Sequence, residues 1–403
     1  MTDHPDMPLT GVRVVELAEG IAGPYAAKLL ADLGAEVIKV EPPLSGDCAR
    51  QAGPFPDHQP HPERSGLFLY VNTNKQSITL NLDSPTGQGL FRKLAADTDV
   101  VIEDRHPGWL AKHGLGYDTL SQDRPQLVMT SITRFGQEGP QAHYNAYPLT
   151  TYHAGGEGFT LPGRLSLDMF PDREPVQAGG SLGEYEGGLC AAVATLGALL
   201  SDTGQHLDIS QQEALMNINR PVLGHYLATG EVVSRHRGYT FGGAMPCRDG
   251  YVILRPMEDN HWQGLARAMG REDLAHDERF QTRPARIENG QELNELILAW
   301  AMQLSKIDIY KRVASEGCPV AYFATAKDIV QSPQLLAREF MVTCDHPETG
   351  PIQLPSAGYQ FSHTPWALRR HAPRLGEHNR EVLGDRLGCN PAELARLRTM
   401  GVI

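Results

Sequence analysis

The chain has 403 residues, 41% of them hydrophobic and 21% charged, with a formal net charge of −12; this is the composition of a water-soluble globular protein large enough for more than one domain. The acidic balance repels polyanions, so no nucleic-acid partner is expected, although a local basic pocket for a phosphorylated small molecule stays open. Six cysteines without C-x-x-C spacing, and a longest apolar run (Leu189 to Leu200) too short to span a bilayer, argue against a zinc site, a disulfide framework and a membrane span, and fit a reducing, cytoplasmic setting.

The opening MTDHPDMPLTG lacks the apolar centre of a secretory signal. VRVVEL (12–17) is rich in β-branched residues and predicts a strand. PYAAKLLADLG (24–34) predicts a helix, with Pro24 in its first turn and Gly34 as its stop. AEVIKVE (35–41), SITLNL (77–82), DVVIED (99–104) and LVMTSIT (127–133) predict further strands, with a helix near 86–96. Strands alternating with helices imply a parallel sheet covered on both faces. Residues 136–180 are rich in Gly, Pro and Tyr and read as a long functional loop. The apolar run 189–200 reads as a buried helix, and two helices flank HLDIS (206–210). The character changes at 235–250. From there GYVILRP reads as a strand, and NHWQGLARAMG and NGQELNELILAWAMQL as amphipathic helices. A smaller α+β domain is therefore expected at 235–330, and a larger α/β domain from 1–225 together with 335–403. In the tail, GPIQLPSAGYQFS reads as extended and a last helix falls near 390–399.

Three stretches carry chemistry. AEGIAG (18–23) lies between a strand and a helix, and Glu41 ends the next strand. This nearly matches the dinucleotide fingerprint G-x-G-x-x-G, with Ala18 in place of the first glycine. An NAD site, a turn beside some other ligand around Ala22 and Gly23, and a purely structural turn all fit these residues. Lys75 in VNTNKQS, and Arg105 and His106 in EDRHPG, fall beside predicted strand ends. Basic groups there can hold phosphate or carboxylate, or be ordinary solvated loop charge. GGSLGEYEGG (179–188) sets Glu184 and Glu186 in a glycine-rich turn ahead of the apolar run. Such a carboxylate is either a helix-terminus residue favoured by the dipole or a nucleophile beside backbone amides that the glycines expose.

Taken in order, LTGVRVVELAEGIAGPYAAKLLADLGAEVIKVEPPLSGD, NTNKQSITLNL, GLGYDTL, SITRFGQEGP, GGSLGEYEGGLCAAVATLGALL, GQHLDISQQEA, DERFQTRPARIENGQEL, GCPVAYFATAKDIVQSPQLLAREFMV and LGEHNREVL resemble the family III CoA-transferases. That group contains formyl-CoA transferase and the carnitine and bile-acid CoA-transferases, and the resemblance runs through nearly the whole chain. It implies a Rossmann-like larger domain that binds CoA rather than NAD, a smaller domain, and two chains interlocked as a dimer. It also implies transfer of CoA between an acyl-CoA and a carboxylic acid through enzyme-bound anhydride and thioester intermediates. No metal and no tightly bound cofactor are expected, the acyl-CoA being a substrate.

The family nucleophile is an aspartate in a G-D pair, and the resemblance carries that role to Glu184, directly after Gly183. It assigns Ala22, Gly23, Lys75, Arg105 and His106 to CoA, and Tyr147, Gly180 and Gly183 to the substrate loop. Glu186 lies about 200° further round a helix and is expected to be a first-turn residue facing elsewhere. Glu adds a methylene to the family aspartate. A second reading is therefore a non-catalytic subunit, of the benzylsuccinate CoA-transferase type, whose homologous partner carries the nucleophile; the partner is then a second homologous chain rather than an identical one. Family racemases use a His that falls here at Tyr147, followed by Pro148, with His153 out of register. That argues against a racemase and leaves a lyase or hydratase with Glu184 as general base as a further alternative.

Overall fold

The computed structural model describes residues 7–161, 172, 174–233 and 241–403, which fall into two compact units. The larger comprises the chain up to Gly158, Gln177–Gly224 and Leu336–Ile403; the smaller comprises His225–Leu335 and the described residues between Phe159 and Val176. Sequence reasoning took 1–225 as one continuous piece of the larger domain, and its boundary at 235 lies outside the described residues.

The larger unit is built on strands β1 (Arg13–Leu17), β2 (Glu36–Glu41), β3 (Lys75–Thr79), β4 (Val100–Glu103), β5 (Val128–Thr133) and β6 (Gln205–Ser210). They form one sheet in the order β3-β2-β1-β4-β5-β6, and every pairing is parallel. Strands buried on both faces read as continuous apolar runs, which is how 12–17, 35–41, 99–104 and 127–133 stood out. β3 begins two residues earlier than 77–82 suggested. Successive side chains feed opposite faces. Val15, Ile38, Ile78, Val101 and Met129 pack on one side, chiefly against Phe91 and Leu94; Val14, Val37, Val100 and Val128 pack on the other against Ala26, Leu30, Ala191 and Ala192. The helices concerned are α1 (Ala22–Asp32), α2 (Gly66–Val71), α3 (Pro85–Ala95), α4 (Trp109–Lys112), α5 (Tyr117–Asp123), α6 (Pro148–Ala154), α7 (Leu182–Leu200) and α8 (Gln211–Ile218). Helix α6 lies inside the stretch read from sequence as loop. The tail completes the unit: Val382, Leu383, Leu397 and Val402 join the core on the α3 side, and the last helix is Pro391–Thr399. Only Gly350–Pro355 of the stretch read as extended is strand, paired with Met341–His346.

The smaller unit has a three-stranded antiparallel sheet, Gly243–Cys247, Gly250–Leu254 and Val320–Tyr322. Helices Asp259–Ala268 and Gly290–Ala301 supply Trp262, Leu265, Leu293 and Ile297 to its core. Among the described residues, no helix is long and apolar enough to cross a membrane.

Helix α7 departs from the expectation of a buried helix. Its buried residues are small, Gly187, Gly188, Ala191, Ala192, Thr195 and Ala198. Leu196 and Leu199 pack partly against that core, but three other large residues face outward: Leu189 is 44%, Val193 62% and Leu200 89% exposed in the single chain. Small residues let α7 lie close against its neighbours, which leaves the bulky stripe uncovered.

Candidate active site

Helix α7 starts because the chain is turned into it. Gly180 (φ 82°) and Ser181 (φ 56°) are both left-handed, and the Ser181 carbonyl accepts from the amides of Glu184 (3.0 Å) and Tyr185 (3.1 Å). The glycines that follow serve packing rather than flexibility. A Cβ on Gly183 would lie 2.8 Å from Leu215 Cδ1, one on Gly187 2.8 Å from Gln211 Cγ, and one on Gly188 2.5 Å from the Ala22 carbonyl oxygen. The first two turns of α7 are thus wedged between α8 and α1. Gly180, with open space around it, stays free of such contacts.

Glu184 is the acid of the first turn of α7; Glu186 lies beyond that turn, so the expectation of Glu186 as the first-turn acid is corrected. The Glu184 side chain is 13% exposed, and its Oε1 stands 3.8 Å from Arg134 Nη1. That nitrogen donates to Gln211 Oε1 at 2.6 Å. Burial pushes the Glu184 carboxyl up, against the opposing pull of Arg134 and of a hydrogen bond from Ser181. A narrow pocket in front of it is lined by Pro148, Thr151, Gln177, Gly183, Gln211 and Leu215. Glu186 is felt instead by Tyr25 and Cys190, both already pushed up by burial. A half-desolvated carboxylate beside one cation can act as nucleophile or base. Tyr147 is 77% exposed and caps α6, its amide donating to Thr150 Oγ1 at 2.9 Å; its neighbour Pro148 reaches the pocket. Among the described residues, no histidine lines the pocket.

The second cluster sits where β1 and β4 adjoin and the strand order reverses, the place where open α/β sheets bind ligands. Arg105 follows β4, pairs with Glu19 at 2.7 Å and lies over the Trp109 ring at 5.7 Å. His106 is exposed and stacks on His143 at 5.4 Å. Burial pushes Glu103 up to about 7 and Asp104 up to about 8. A cavity of about 270 Å³ beside them is lined by Glu103, His106, Tyr117, Ser131, Gln137 and His206. Ala22 and Gly23 are buried in the first turn of α1. Gly23 is required because a Cβ would lie 2.2 Å from that of Ala18, so this turn is packed tight against its own strand.

Lys75 does not stand where its sequence position suggested. It opens β3 rather than ending it, and it is fully buried. Its three donors go to Glu16 Oε2 (2.7 Å), the Pro24 carbonyl (2.7 Å) and Asn72 Oδ1 (2.8 Å), which leaves none for a ligand. It belongs to an internal ion network. Lys39 bonds the other Glu16 oxygen (2.6 Å) and Asp47 (2.7 Å). Burial alone would lower Lys39, but Asp47 and Glu16 hold it raised. Asp47 in turn accepts from the Gly20 amide at 2.8 Å, fixing the β1–α1 turn. Among the described residues one group could hold a metal, Glu19, Asp47 and Cys48, but its carboxylates are already paired with Arg105 and Lys39. Sequence reasoning missed Arg134, Gln211 and this network. The available signal was charge inside apolar strands, Glu16 and Lys39, which demands buried partners.

The chain matches the model of CoA-transferase family III over residues 9–379. It is 34% identical to succinyl-CoA–D-citramalate CoA-transferase of Chloroflexus aurantiacus, covering 100% of each chain. It is 31% identical to the beta subunit of succinyl-CoA–L-malate CoA-transferase from the same organism, covering 98% of each. The crystal structure of a CaiB/BaiF family protein from Brucella suis matches with a TM-score of 0.83 at 32% identity, over 94% of this chain and 100% of that one.

Proposed function

The chain belongs to CoA-transferase family III, whose members move CoA between an acyl-CoA and a carboxylic acid, and on that premise we propose that Glu184 is the carboxylate that passes the groups across. A Glu184 oxygen attacks the thioester carbonyl carbon, the C–S bond breaks, and CoA leaves as thiolate, giving a mixed anhydride. The thiolate then attacks the Glu184 carbonyl carbon and expels the first acid, giving a glutamyl–CoA thioester. The second acid repeats both steps in reverse order and regenerates the carboxylate. The observation that carries this is Glu184 itself: 13% exposed, at a helix N-terminus, beside Arg134. Burial makes it a more basic nucleophile, while Arg134 and Ser181 keep its ionised form accessible.

The larger unit is read as Rossmann-like, supported by the strand order, with CoA over the β1–β4 junction near Arg105 and His106, and the Ala22–Gly23 turn beneath. Lys75 then supports the β1–α1 turn from inside. No tightly bound cofactor is needed, and a cytoplasmic setting fits. Succinyl-CoA is proposed as donor because both relatives described above are named for it. An assembled form, with a second copy or a homologous chain, is supported by the uncovered Leu189, Val193 and Leu200 on α7; residues 189, 193 and 200 share one helix face.

Incubation with succinyl-CoA followed by intact-mass measurement should reveal a CoA adduct, mapped to Glu184 after hydroxylamine cleavage and absent in Glu184→Ala. That variant should lose turnover while retaining CoA affinity. Turnover of Glu184→Ala equal to wild type, in a preparation free of any partner chain, would refute the role. Activity that arises only on adding a homologous chain would instead make this one the non-catalytic subunit.

A further inference from the structure

We infer that Arg134, braced by Gln211, is the receptor for the ionised carboxylate of the acid substrate as it meets Glu184. This rests on the reading of Glu184 as the group-carrying carboxylate. The geometry follows from the sheet. Thr133 and Ser210 are register partners that end β5 and β6, so the next residues, Arg134 and Gln211, emerge side by side. The pair is locked further by the Gln212 amide donating to the Arg134 carbonyl at 3.1 Å. Gly187 leaves room for Gln211 to lie against α7, which brings the pair to Glu184.

Arg134 is not built like the structural arginines of this protein. Arg50 is fully buried and spends its guanidinium on Glu41, Glu63 and the Pro373 carbonyl. The Arg134 side chain is 30% exposed. Its Nη1 is held by Gln211, while among the described residues Nε and Nη2 have no protein partner. The Glu184 contact at 3.8 Å is an ion pair beyond hydrogen-bond length. The guanidinium is therefore aimed and only partly used. It is also the cation whose charge Glu184 feels; among the described residues no lysine or arginine lines the pocket in front of it.

The chemistry requires such a group. When the second acid attacks the glutamyl–CoA thioester, its carboxylate oxygen bonds to the Glu184 carbonyl carbon, the C–S bond breaks and thiolate departs. Before and after, an anionic carboxylate lies against a site whose own group is anionic when free. A planar, permanently charged fork can hold that carboxylate through two N–H bonds without exchanging a proton with it. The recognised class is accordingly any acid presented through its ionised reacting carboxylate, and not its amide or ester.

Exchange of labelled succinate into succinyl-CoA isolates this step. In Arg134→Gln, kcat/KM for succinate should fall on the order of 10- to 100-fold, the worth of a charge-assisted pair. KM for succinyl-CoA should stay within about twofold. Arg134→Lys should recover part of the loss, and methylguanidinium should restore part of the rate of Arg134→Ala. The acid limb of the rate profile should also move to higher pH in Arg134→Gln, since Arg134 no longer draws the Glu184 carboxyl down. An unchanged kcat/KM for succinate in Arg134→Gln, or equal losses for both substrates with a lowered melting temperature, would overturn the inference. Full exchange by Glu184→Ala would sink the reading of Glu184 itself, whereas an inactive Glu184→Ala beside a normal Arg134→Gln would sink only the role of Arg134.

Discussion

Replacing Gly188 by alanine should loosen the joint that sets the height of Glu184. The added Cβ would lie 2.5 Å from the Ala22 carbonyl oxygen and 3.2 Å from Tyr25 Cδ1, where ordinary contact starts at 3.4 Å. A backbone oxygen inside α1 cannot swing aside, so α1 and α7 must part by about 0.9 Å. Overpacking of this kind costs about 1–3 kcal/mol. Alanine in a helix interior returns about 0.8–1.0 kcal/mol, so the net loss is up to about 2 kcal/mol. Gly89, in α3, is the internal control: nothing stands within 4 Å of its added Cβ, so Gly89→Ala should gain about 0.8–1.0 kcal/mol. The same substitution in two helices of one unit is thus expected to have opposite signs. Urea unfolding followed by circular dichroism reads both as midpoint shifts at constant slope. Turnover should fall further than stability in Gly188→Ala, because a displacement of ~1 Å at reacting groups can cost on the order of 100-fold. If Gly188→Ala is as stable and active as Gly89→Ala, the account of these glycines as packing contacts is wrong.

Lys75→Met should destabilise by about 3–5 kcal/mol, because it strips one cation from the buried Glu16; urea unfolding measures this. The ratio of CoA to dephospho-CoA affinity by calorimetry should not change, and a selective loss of CoA would return Lys75 to the ligand. Glu103 has its folded pKa raised to about 7 by burial. Its stabilising contribution is therefore complete below its unfolded value and lost as pH rises through about 7. Glu103→Gln should accordingly gain on wild type by roughly 3 kcal/mol between pH 4.5 and pH 8, read from urea midpoints at both pH values; a constant difference would contradict it.

The strands and α1, α3 and the last helix were legible because their patterns are local. A β-branched run buried on both faces, a proline in a first turn and a glycine stop act within a few residues. Glu184 was legible by its place in an ordered set of stretches. Its surroundings were not, because Arg134 and Gln211 lie 50 and 27 positions away in sequence, and only the register of β5 on β6 sets them side by side. Lys75 misled for the same reason. A lysine near a strand end looks like a ligand group until Glu16, 59 residues earlier, is found to hold it.

By itself the sequence determined the alternation of strands and helices, the class of protein and the turn that carries the candidate carboxylate. These follow from side-chain chemistry and spacing along the chain. Tertiary structure alone decided which charges are spent inside and which remain for a substrate. Lys39, Lys75 and Arg50 are saturated in the interior, whereas among the described residues Arg134 keeps donors unpaired. It also decided that Gly183, Gly187 and Gly188 of α7 are contacts and that Leu189, Val193 and Leu200 face outward. Each of these outcomes depends on which surfaces meet across the sheet, and a charge or a methyl group has no fixed meaning until its neighbours in space, rather than in sequence, are known.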